Sequence, residues 1–406
     1  MTPAAPVIDL TDPSTFGDGP PLDYFAYLRR HDPISWHEHS LPDRAGFWAM
    51  TRYADVIAVE RDPRTFSSQQ GTLIEPTDGA ELLMMNQDPP RHTRLRQLVS
   101  RMFTARHLQS LEESIGRAVD EIVTAATERT EFDFVTQIAA PLPVIAIAEL
   151  LGVPPGDRSR ILDWSNRMLG VSNGPHLEGR AAGHEAAAEL FDYANALAAE
   201  RLADPREDIV TLLLTTDVDG ERLDAMEFNF FFLLLAVAGN APRSLFSGGV
   251  LALLDHPHQL AKLHHDRTLL PTAVEELLRY VSPVNYFRRT VTRDVDFRGT
   301  QLQAGDKVTL WYSSANRDEE QFEQPDVFDV GRWPNEHLAF GGKGPHMCLG
   351  AHLARLEIRT MFNALLDRVL HRLELAGPIE RLHDNVVNGI TSMPVRLRPA
   401  EVPPCN

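Results

Sequence analysis

The strongest chemical signal in the sequence is a cysteine that follows a run of glycines. Residues 340–350 read FGGKGPHMCLG, with Cys348 near the end of the segment. Leu349, Leu353 and Leu356 then recur at the spacing of one helix face, which predicts a helix that begins at the cysteine. Free N–H groups at a helix start favour a thiolate. This pattern predicts a cofactor site that uses a single cysteine ligand.

Other chemistries fit this segment less well. A phosphate-binding P-loop requires Ser or Thr after Gly-Lys, whereas Gly344 follows Lys343 here. A structural zinc site needs four ligands, and the second cysteine, Cys405, stands next to the C-terminus. An isolated cysteine beside a helix is most often a small buried apolar side chain. The surrounding glycines and His346 favour a cofactor site over that role.

The elements around this segment are predicted to be mostly helical. Apolar residues recur at steps of three or four from about residue 89 to residue 280. Beyond Pro283 the texture changes to alternating and β-branched segments at 287–295, 307–312 and 386–397, which predict strands, and the polar, proline-rich stretch 313–337 predicts an ordered loop. We therefore expect one mainly α domain with a small β region over residues 23–406, preceded by a surface arm over residues 1–22.

Composition excludes several classes of partner. The 406 residues carry 39 Lys and Arg against 57 Asp and Glu, a net charge of −18, which disfavours nucleic-acid binding. Two cysteines offer no disulfide framework, so we expect a reducing cytoplasmic location. The longest apolar run, 228–239, contains Asn229 and is closed by Asn240 and Pro242. That run is too short to span a membrane, so it predicts a buried helix.

The cysteine segment resembles the haem-binding loop of the cytochrome P450 family, and two further motifs support the resemblance. In DPPRHTRLR, His92 and Arg96 stand four residues apart on one helix face. Glu276 and Arg279, together with Arg332, resemble the family's buried Glu-x-x-Arg pair and its partner arginine. The resemblance covers essentially the whole chain. It implies a cytochrome P450 fold in which haem b lies between the central long helix and the helix after the cysteine.

The resemblance also implies which residues would hold the haem. Cys348 would be the axial thiolate ligand of the iron, and an anionic sulfur there favours O–O bond cleavage. The other implied haem contacts are His92, Arg96, Arg289, Phe340, His346 and Gly350. The basic members of this set would neutralise buried propionates. The loop is one residue longer than its commonest form.

The segment expected over the oxygen site departs from the family pattern. The usual Ala-Gly-x-acid-Thr-Thr is replaced by Ala238, Gly239, Asn240, Ala241 and Pro242, so the acid and the alcohol that relay protons are both missing. Pro242 has no amide hydrogen for the Ala238 carbonyl and should kink the helix there. Either water or a substrate hydroxyl delivers protons, or the enzyme uses different chemistry. Asn240 and Arg243 are the nearest polar candidates to hold water or a substrate carboxylate.

The predicted function is a monooxygenase that inserts one oxygen atom from O2 into an apolar molecule of secondary metabolism. A terpenoid, steroid, polyketide or lipid-like substrate suits the expected lining. That lining comprises Met84, Met85, Phe231, Leu234, Leu235, Val284, Tyr286, Phe287, Ile390 and Thr391. The chain has no flavin, nicotinamide or iron–sulfur signature, so electrons should come from a separate ferredoxin and its reductase. The basic residues that could attract an acidic ferredoxin are Arg94, Arg101, Arg106 and Lys343.

Two alternatives remain open at this point. The missing acid and alcohol would also suit an enzyme that uses hydrogen peroxide, or one that rearranges or joins bonds of its substrate. A haem-binding sensor without turnover is the remaining possibility. Turnover with peroxide alone would indicate the first alternative, and an iron closed to substrates would indicate the sensor.

Overall fold

The structure is a computed structural model, and it describes residues 8–40, 44–75, 80–100, 105–168, 177–217 and 222–399. Helices dominate these residues. They are α1 (Leu22–His31), α2 (Tyr53–Arg61), α3 (Arg91–Ser100), α4 (Ala105–Thr127), α5 (Pro141–Leu151), α6 (Arg158–Met168), α7 (Leu177–Ala203), α8 (Ile209–Thr215), α9 (Ala225–Ala238), α10 (Asn240–Asp255), α11 (Pro257–His265), α12 (Leu270–Val281), α13 (Tyr312–Ala315) and α14 (Ala351–Arg368).

The β region is small and consists of short strands. They are β1 (Ile34–His37), β2 (Phe47–Met50), β3 (Phe66–Ser67), β4 (Glu131–Asp133), β5 (Tyr286–Val291), β6 (Val295–Phe297), β7 (Thr300–Leu302), β8 (Lys307–Trp311), β9 (Leu373–Leu375), β10 (Glu380–Arg381), β11 (Ile390–Ser392) and β12 (Pro394–Leu397). The largest sheet has the order β1-β2-β8-β5-β3, and only its β2–β8 pair is parallel. The remaining sheets are β4-β12-β9, β10-β11 and β6-β7.

The predicted mainly α architecture is confirmed. Helices fill most of the described part of 89–280, and β5, β8, β11 and β12 fall in the predicted strand segments. The sequence did not indicate β1 and β2, because four residues are too few to show an alternating pattern. The predicted loop after α13 is present, since no helix or strand is formed between α13 and α14.

The N-terminal arm is less peripheral than the sequence suggested. In its described part, which starts at residue 8, Leu10 and Phe16 are buried, and Phe16 stacks on Trp311 with ring centroids 5.9 Å apart. The expectation of a surface arm is therefore corrected: its apolar side chains complete a small core cluster beside β8.

The central helix is interrupted where proline was expected to kink it. α9 ends at Ala238 and α10 begins at Asn240, so Pro242 falls in the first turn of α10, where amide hydrogens have no partner within the helix. The stretch Ala225–Asp255 is long and apolar enough to cross a membrane by length and composition alone. Its halves pack against α5, α7, α12 and α14, as those of a core helix do.

A buried ion-pair network anchors the loop between α13 and α14. Arg279 donates to Glu276 at 2.7 Å and to the carbonyls of Asn316 and Pro325, and both charged side chains are fully buried. Arg332 adds a further bond to Glu276 at 3.2 Å. The structure thus brings together the three residues of the predicted structural set, and each buried charge has partners.

Candidate active site

A cavity of about 330 Å³ lies between the central helix and α14. Every residue of the predicted cofactor set borders it. These residues are His92, Arg96, Arg289, Phe340, His346, Cys348 and Gly350. We call the side formed by Arg96, Arg289, His346 and Cys348 the cysteine wall. The facing side, formed by Phe231, Leu235, Ala238, Pro242 and Leu245, is the helix wall.

The cysteine loop holds the thiol at the start of α14. The Cys348 amide donates to the Phe340 carbonyl at 2.9 Å, which closes the loop. Gly341 has φ +92°, a conformation that glycine adopts without strain. The Cys348 side chain is exposed to the cavity although it lies deep in the protein. Burial raises the pKa of the thiol, whereas the Gly350 amide, Arg96 and Arg355 oppose that rise.

Basic groups gather beside the thiol. The rings of His92 and His346 lie with centroids 4.1 Å apart. Burial, and then the charge of Arg96, lower the pKa of His92 to about 4, so this imidazole is neutral at pH 7. Burial also lowers the pKa of Arg96. Within the described residues Arg96 forms no ion pair and His92 Nδ1 has no hydrogen-bond partner. These groups are arranged for an anion in the cavity.

Sequence reasoning missed Glu60 and Tyr312, which also border the cavity, next to the cysteine wall. Glu60, at the end of α2, is buried and accepts hydrogen bonds from the Tyr312 hydroxyl and the Gly342 amide. One of its oxygens is 3.7 Å from an Arg289 nitrogen. Burial raises the pKa of Tyr312, so its hydroxyl remains a donor. Glu60 continues the apolar face of Val56 and Val59, and this position was the available sequence signal.

The helix wall is apolar where the family pattern carries an acid and an alcohol. Ala238, Gly239, Ala241 and Pro242 border the cavity. Asn240 does not border it: its side chain donates to Ser165 at 2.8 Å and to the Val237 carbonyl at 2.9 Å. Its expected place at the oxygen site is therefore corrected, because the amide caps the broken helix end.

The Arg243 side chain, like that of Asn240, points away from the cavity and toward α6. Its guanidinium donates to Asn166 of α6 at 2.8 Å and is buried away from the cavity. The two polar candidates of the central helix thus tie the break to α6. Neither is placed to hold a substrate carboxylate.

Most of the predicted substrate-pocket residues line the cavity. They are Met84, Met85, Phe231, Leu234, Leu235, Val284 and Phe287. Tyr286 does not, because alternate residues of β5 face opposite sides of the sheet and its ring packs on Trp311. Ile390 is buried in the core, and Thr391 bonds the Glu380 carbonyl within its hairpin. These three assignments are corrected.

Glu357 borders the cavity and was also missed. It is 3% exposed, and its Oε2 has no hydrogen-bond partner in the described part of the chain. Burial raises the pKa of this carboxyl to about 8. Leu349, Leu353 and Glu357 are spaced by four residues, so a carboxyl on the apolar stripe of α14 was visible in the sequence.

Comparison with known proteins identifies the family. Residues 183–395, slightly more than half of the chain, match the Cytochrome P450 family model. A Steroid C26-monooxygenase of Rhodococcus jostii is 41% identical over 97% of this chain and 85% of its own length. The chain belongs to the cytochrome P450 family. A Methyl-branched lipid omega-hydroxylase of Mycobacterium bovis is 41% identical to this P450 over 91% of this chain and 90% of its own length.

The fold agrees with that membership. A Mycobacterium marinum cytochrome P450, solved in complex with pseudoionone, matches with a TM-score of 0.89 and 37% identity, over 97% of this chain and 99% of its own. This P450 is accordingly an oxidoreductase of the monooxygenase type that acts on apolar small molecules.

The cofactor of this P450 is haem b with an axial cysteine thiolate, and the cavity fits such a group. A thiol faces the cavity; beside it, Arg96 offers positive charge, and His92 Nδ1, which has no hydrogen-bond partner among the described residues, offers a hydrogen-bonding atom. Binding a metal ion deprotonates a coordinating thiol, which overrides the raised pKa of Cys348. Cys405 lies outside the described residues.

Proposed function

We propose that this P450 uses electrons from a separate ferredoxin system to hydroxylate an unactivated methyl group of a branched, apolar substrate. The observation that carries the proposal is a cavity with a thiol on one wall and an apolar surface on the other. When bound, haem supplies the activation of O2. The chain contributes the ligand, the orientation of the substrate and the exclusion of water.

Cys348 is the proposed axial ligand, and the basic groups beside it are the proposed propionate partners. Arg96 and Arg289 supply guanidinium groups, whereas His92 and His346 are held neutral because burial lowers the pKa of each imidazole. Neutral imidazoles can donate or accept single hydrogen bonds, and the two guanidiniums carry the compensating charge. Glu60 holds the loop at the Gly342 amide.

The proposed substrate class follows from the lining and from the relatives. Met84, Met85, Phe231, Leu234 and Phe287 offer flexible or aromatic apolar contacts, and no charged group stands on the helix wall. Such a wall selects by shape and by buried area rather than by an ionic anchor. The names of the two relatives describe oxidation of a steroid at C26 and of a methyl-branched lipid at its omega end. A branched alkyl end fits both.

Electron supply by a ferredoxin remains a proposal, as does a cytoplasmic location. The expected basic docking patch is only partly described, because Arg101 lies outside the described residues and the side chain of Arg106 is not described. Lys343, a third member, pairs with Glu336. Support for an external electron donor comes from the sequence, which has no flavin, nicotinamide or iron–sulfur signature.

The test uses the purified haem protein with three substrates. They are a sterol with a branched side chain, a methyl-branched fatty acid and, as matched control, the straight-chain acid of equal length. Each is incubated with reduced ferredoxin and reductase, and separately with hydrogen peroxide alone. We expect a terminal alcohol from the branched substrates in the ferredoxin arm. Product from none of them in that arm would contradict the proposal.

A peroxide-using enzyme is the second candidate function. The observation that favours it is the helix wall, which has Ala241 and Pro242 where an acid and an alcohol are usual. Efficient turnover in the peroxide arm, with little in the ferredoxin arm, would support it.

A further inference from the structure

We propose that Arg288 and Lys307 form a binding site for a small oxyanion, a phosphate or a carboxylate group, between strands β5 and β8 and segment 70–75. Both side chains bind such groups through charge-assisted hydrogen bonds. Arg288 does not border the cavity, unlike its neighbour Arg289. The site therefore lies apart from the cofactor, and it goes beyond the proposed function because binding there requires no turnover.

Arg288 is a buried guanidinium without an acidic partner. Its side chain is 4% exposed, and its Nε has no hydrogen-bond partner among the described residues. One terminal nitrogen donates to the Gln70 carbonyl and, at 3.3 Å, to the Thr290 hydroxyl. Both acceptors are neutral. A guanidinium stays protonated inside a protein, so these bonds leave its positive charge uncompensated.

Arginines that are buried to the same degree show what Arg288 lacks. Three of them, each no more than 3% exposed, donate to carboxylates, and the pairs are Arg29 with Glu319, Arg201 with Asp208 and Arg279 with Glu276. Arg243 also has no direct ion pair among the described residues, but the negative charge of Asp133 acts on it. Arg288 has neither kind of compensation. A buried charge of this kind calls for a counter-ion.

A second cation lies on the same face of the sheet. Thr290 of β5 pairs with Lys307 of β8, and Arg288 and Thr290 are two residues apart on one strand, so the three side chains share a face. Lys307 Nζ also has a neutral partner, the Ile74 carbonyl at 3.4 Å. Burial, and then the charges of Arg288 and Arg44, lower the pKa of this ammonium group. Two cations thus stand close enough to repel each other.

The acidic residue of segment 70–75 is already engaged. Glu75 accepts a hydrogen bond from His39 at 2.7 Å and pairs with Arg44. Within the described residues, Arg288 and Lys307 donate to carbonyl and hydroxyl oxygens and form no ion pair. An oxyanion bound between them would supply the missing negative charge.

Segment 70–75 is placed to cover such an anion and to transmit its effect. Gly71 has φ +93°, and a Cβ atom at that position would lie 3.9 Å from an Arg288 nitrogen. The Arg288 amide donates to the Thr72 carbonyl at 2.7 Å, which ties the segment to β5. Thr72 borders the cavity. An oxyanion held beneath the segment would therefore brace one border of the cavity.

The test uses the haem-loaded protein, in which the basic groups of the cysteine wall are occupied. Phosphate and acetate are titrated separately by isothermal titration calorimetry, with chloride at matched ionic strength as the reference. We expect saturable binding at one site for at least one of the two oxyanions. At about 50 times the dissociation constant, the melting temperature should rise by roughly 3 °C. The anion that binds more tightly identifies the group as phosphoryl or carboxylate.

The decisive variant is Lys307→Gln, because this side chain is less buried than Arg288 and has a single long hydrogen bond. We expect oxyanion affinity to fall roughly 10- to 100-fold. In chloride the variant should melt no lower than the wild type, because the repulsion between the two cations is removed. In saturating oxyanion it should melt below the wild type. A bracing role for Lys307 alone would instead lower the melting temperature equally in both buffers.

Two further variants locate the site. Arg288→Lys keeps the charge but loses the planar fork, so it should bind the oxyanion with intermediate affinity. Arg293→Gln is the matched control, because it removes one positive charge from an exposed side chain close in sequence. We expect wild-type affinity from this control. All variants should keep the wild-type carbon monoxide spectrum.

The contrary outcomes are equally definite. A melting temperature that follows ionic strength alone, whatever the anion, would overturn the proposal. Equal oxyanion affinity in the wild type and Lys307→Gln would place the bound anion elsewhere and overturn it too. Product formation enters none of these measurements, so the proposed function and this site stand or fall separately.

Discussion

The two walls of the cavity differ in polarity: the cysteine wall is polar and the helix wall is apolar. On the cysteine wall, Arg289, His346 and Cys348 are polar, and the loop that carries the thiol is tied back by the Gly342–Glu60 and Cys348–Phe340 hydrogen bonds. On the helix wall, Phe231, Leu245 and their neighbours are apolar, and the polar residues of the break turn outward to α6.

This difference suits the cysteine wall to binding the cofactor and the helix wall to contacting the substrate. The cysteine wall can bind an anionic, metal-containing group tightly because its charges and ligand are fixed in advance. The helix wall can accept a range of apolar molecules because it makes no directional bonds. The two carboxyl side chains that border the cavity in the described structure, Glu60 and Glu357, both lie outside the helix wall.

Replacing the thiol should have the largest effect, because it removes the proposed ligand from the cysteine wall. Cys348→Ser removes the proposed ligand, and a hydroxyl cannot substitute electronically for a thiolate. We expect complete loss of the thiolate spectrum of the reduced carbon monoxide complex and of turnover. The measurement is an absorption spectrum of purified protein reconstituted with haem. Retention of the thiolate spectrum would show that Cys348 is not the ligand.

Removing one charge from the cysteine wall should weaken cofactor binding without abolishing it. Arg96→Leu takes away a charge-assisted hydrogen bond worth about 1.5–3 kcal/mol, so haem should transfer to a scavenger protein roughly 10- to 100-fold faster. Arg91→Leu is the matched control on the same helix, because Arg91 is exposed and pairs with Glu227. Equal haem loss from the two variants would contradict the assignment of Arg96.

Adding polar groups to the helix wall should make it more like the usual pattern. The double variant Ala241→Glu, Pro242→Thr supplies an acid and an alcohol and returns an amide hydrogen to the Ala238 carbonyl. We expect about a threefold gain in coupling of electrons to product. Lower activity with unchanged haem content would argue for specialised chemistry instead.

The smallest effect is a pH-dependent difference in stability. In the folded protein the pKa of Glu357 is about 8, above its unfolded value of about 4.5. Between these two pH values the folded state keeps the proton and the unfolded state loses it. The free energy of unfolding therefore decreases as the pH rises from about 4.5 to 8. Glu357→Gln lacks this loss. Its melting temperature relative to the wild type should therefore increase by about 2–4 °C from pH 5.5 to pH 8. A constant difference across that range would contradict a protonated Glu357.

Much of the architecture could be predicted, but strands β1 and β2 could not. The helical periodicity before residue 280 and the alternating segments after it predicted the mainly α fold with its small sheets, which the structure confirms. β1 and β2 escaped because each has only four residues, and because β2 joins the sheet by pairing with β8, more than 250 positions away. The arm was taken for a surface segment because nothing local indicates that Phe16 stacks on Trp311.

In the candidate site, too, residues in local motifs could be predicted, and residues placed by tertiary packing could not. The predicted cofactor residues all border the cavity, because each belongs to a local motif whose spacing already sets its direction. Tyr286, Ile390 and Asn240 point elsewhere, since apolar or polar character does not tell which face of an element meets the cavity. Glu60 and Glu357 each lie on the apolar stripe of a helix, but only the tertiary structure shows that this stripe borders the cavity.

The sequence by itself determined the chemistry of the cysteine ligand and the interruption of the central helix at Pro242. A cysteine at a helix start, His92 and Arg96 four residues apart, and a proline without an amide hydrogen carry their consequences within a few residues. Only the tertiary structure decided which apolar residues form the helix wall and how Asn240 is turned. It also decided that Glu357 keeps its proton, because desolvation depends on every segment that packs around the carboxyl.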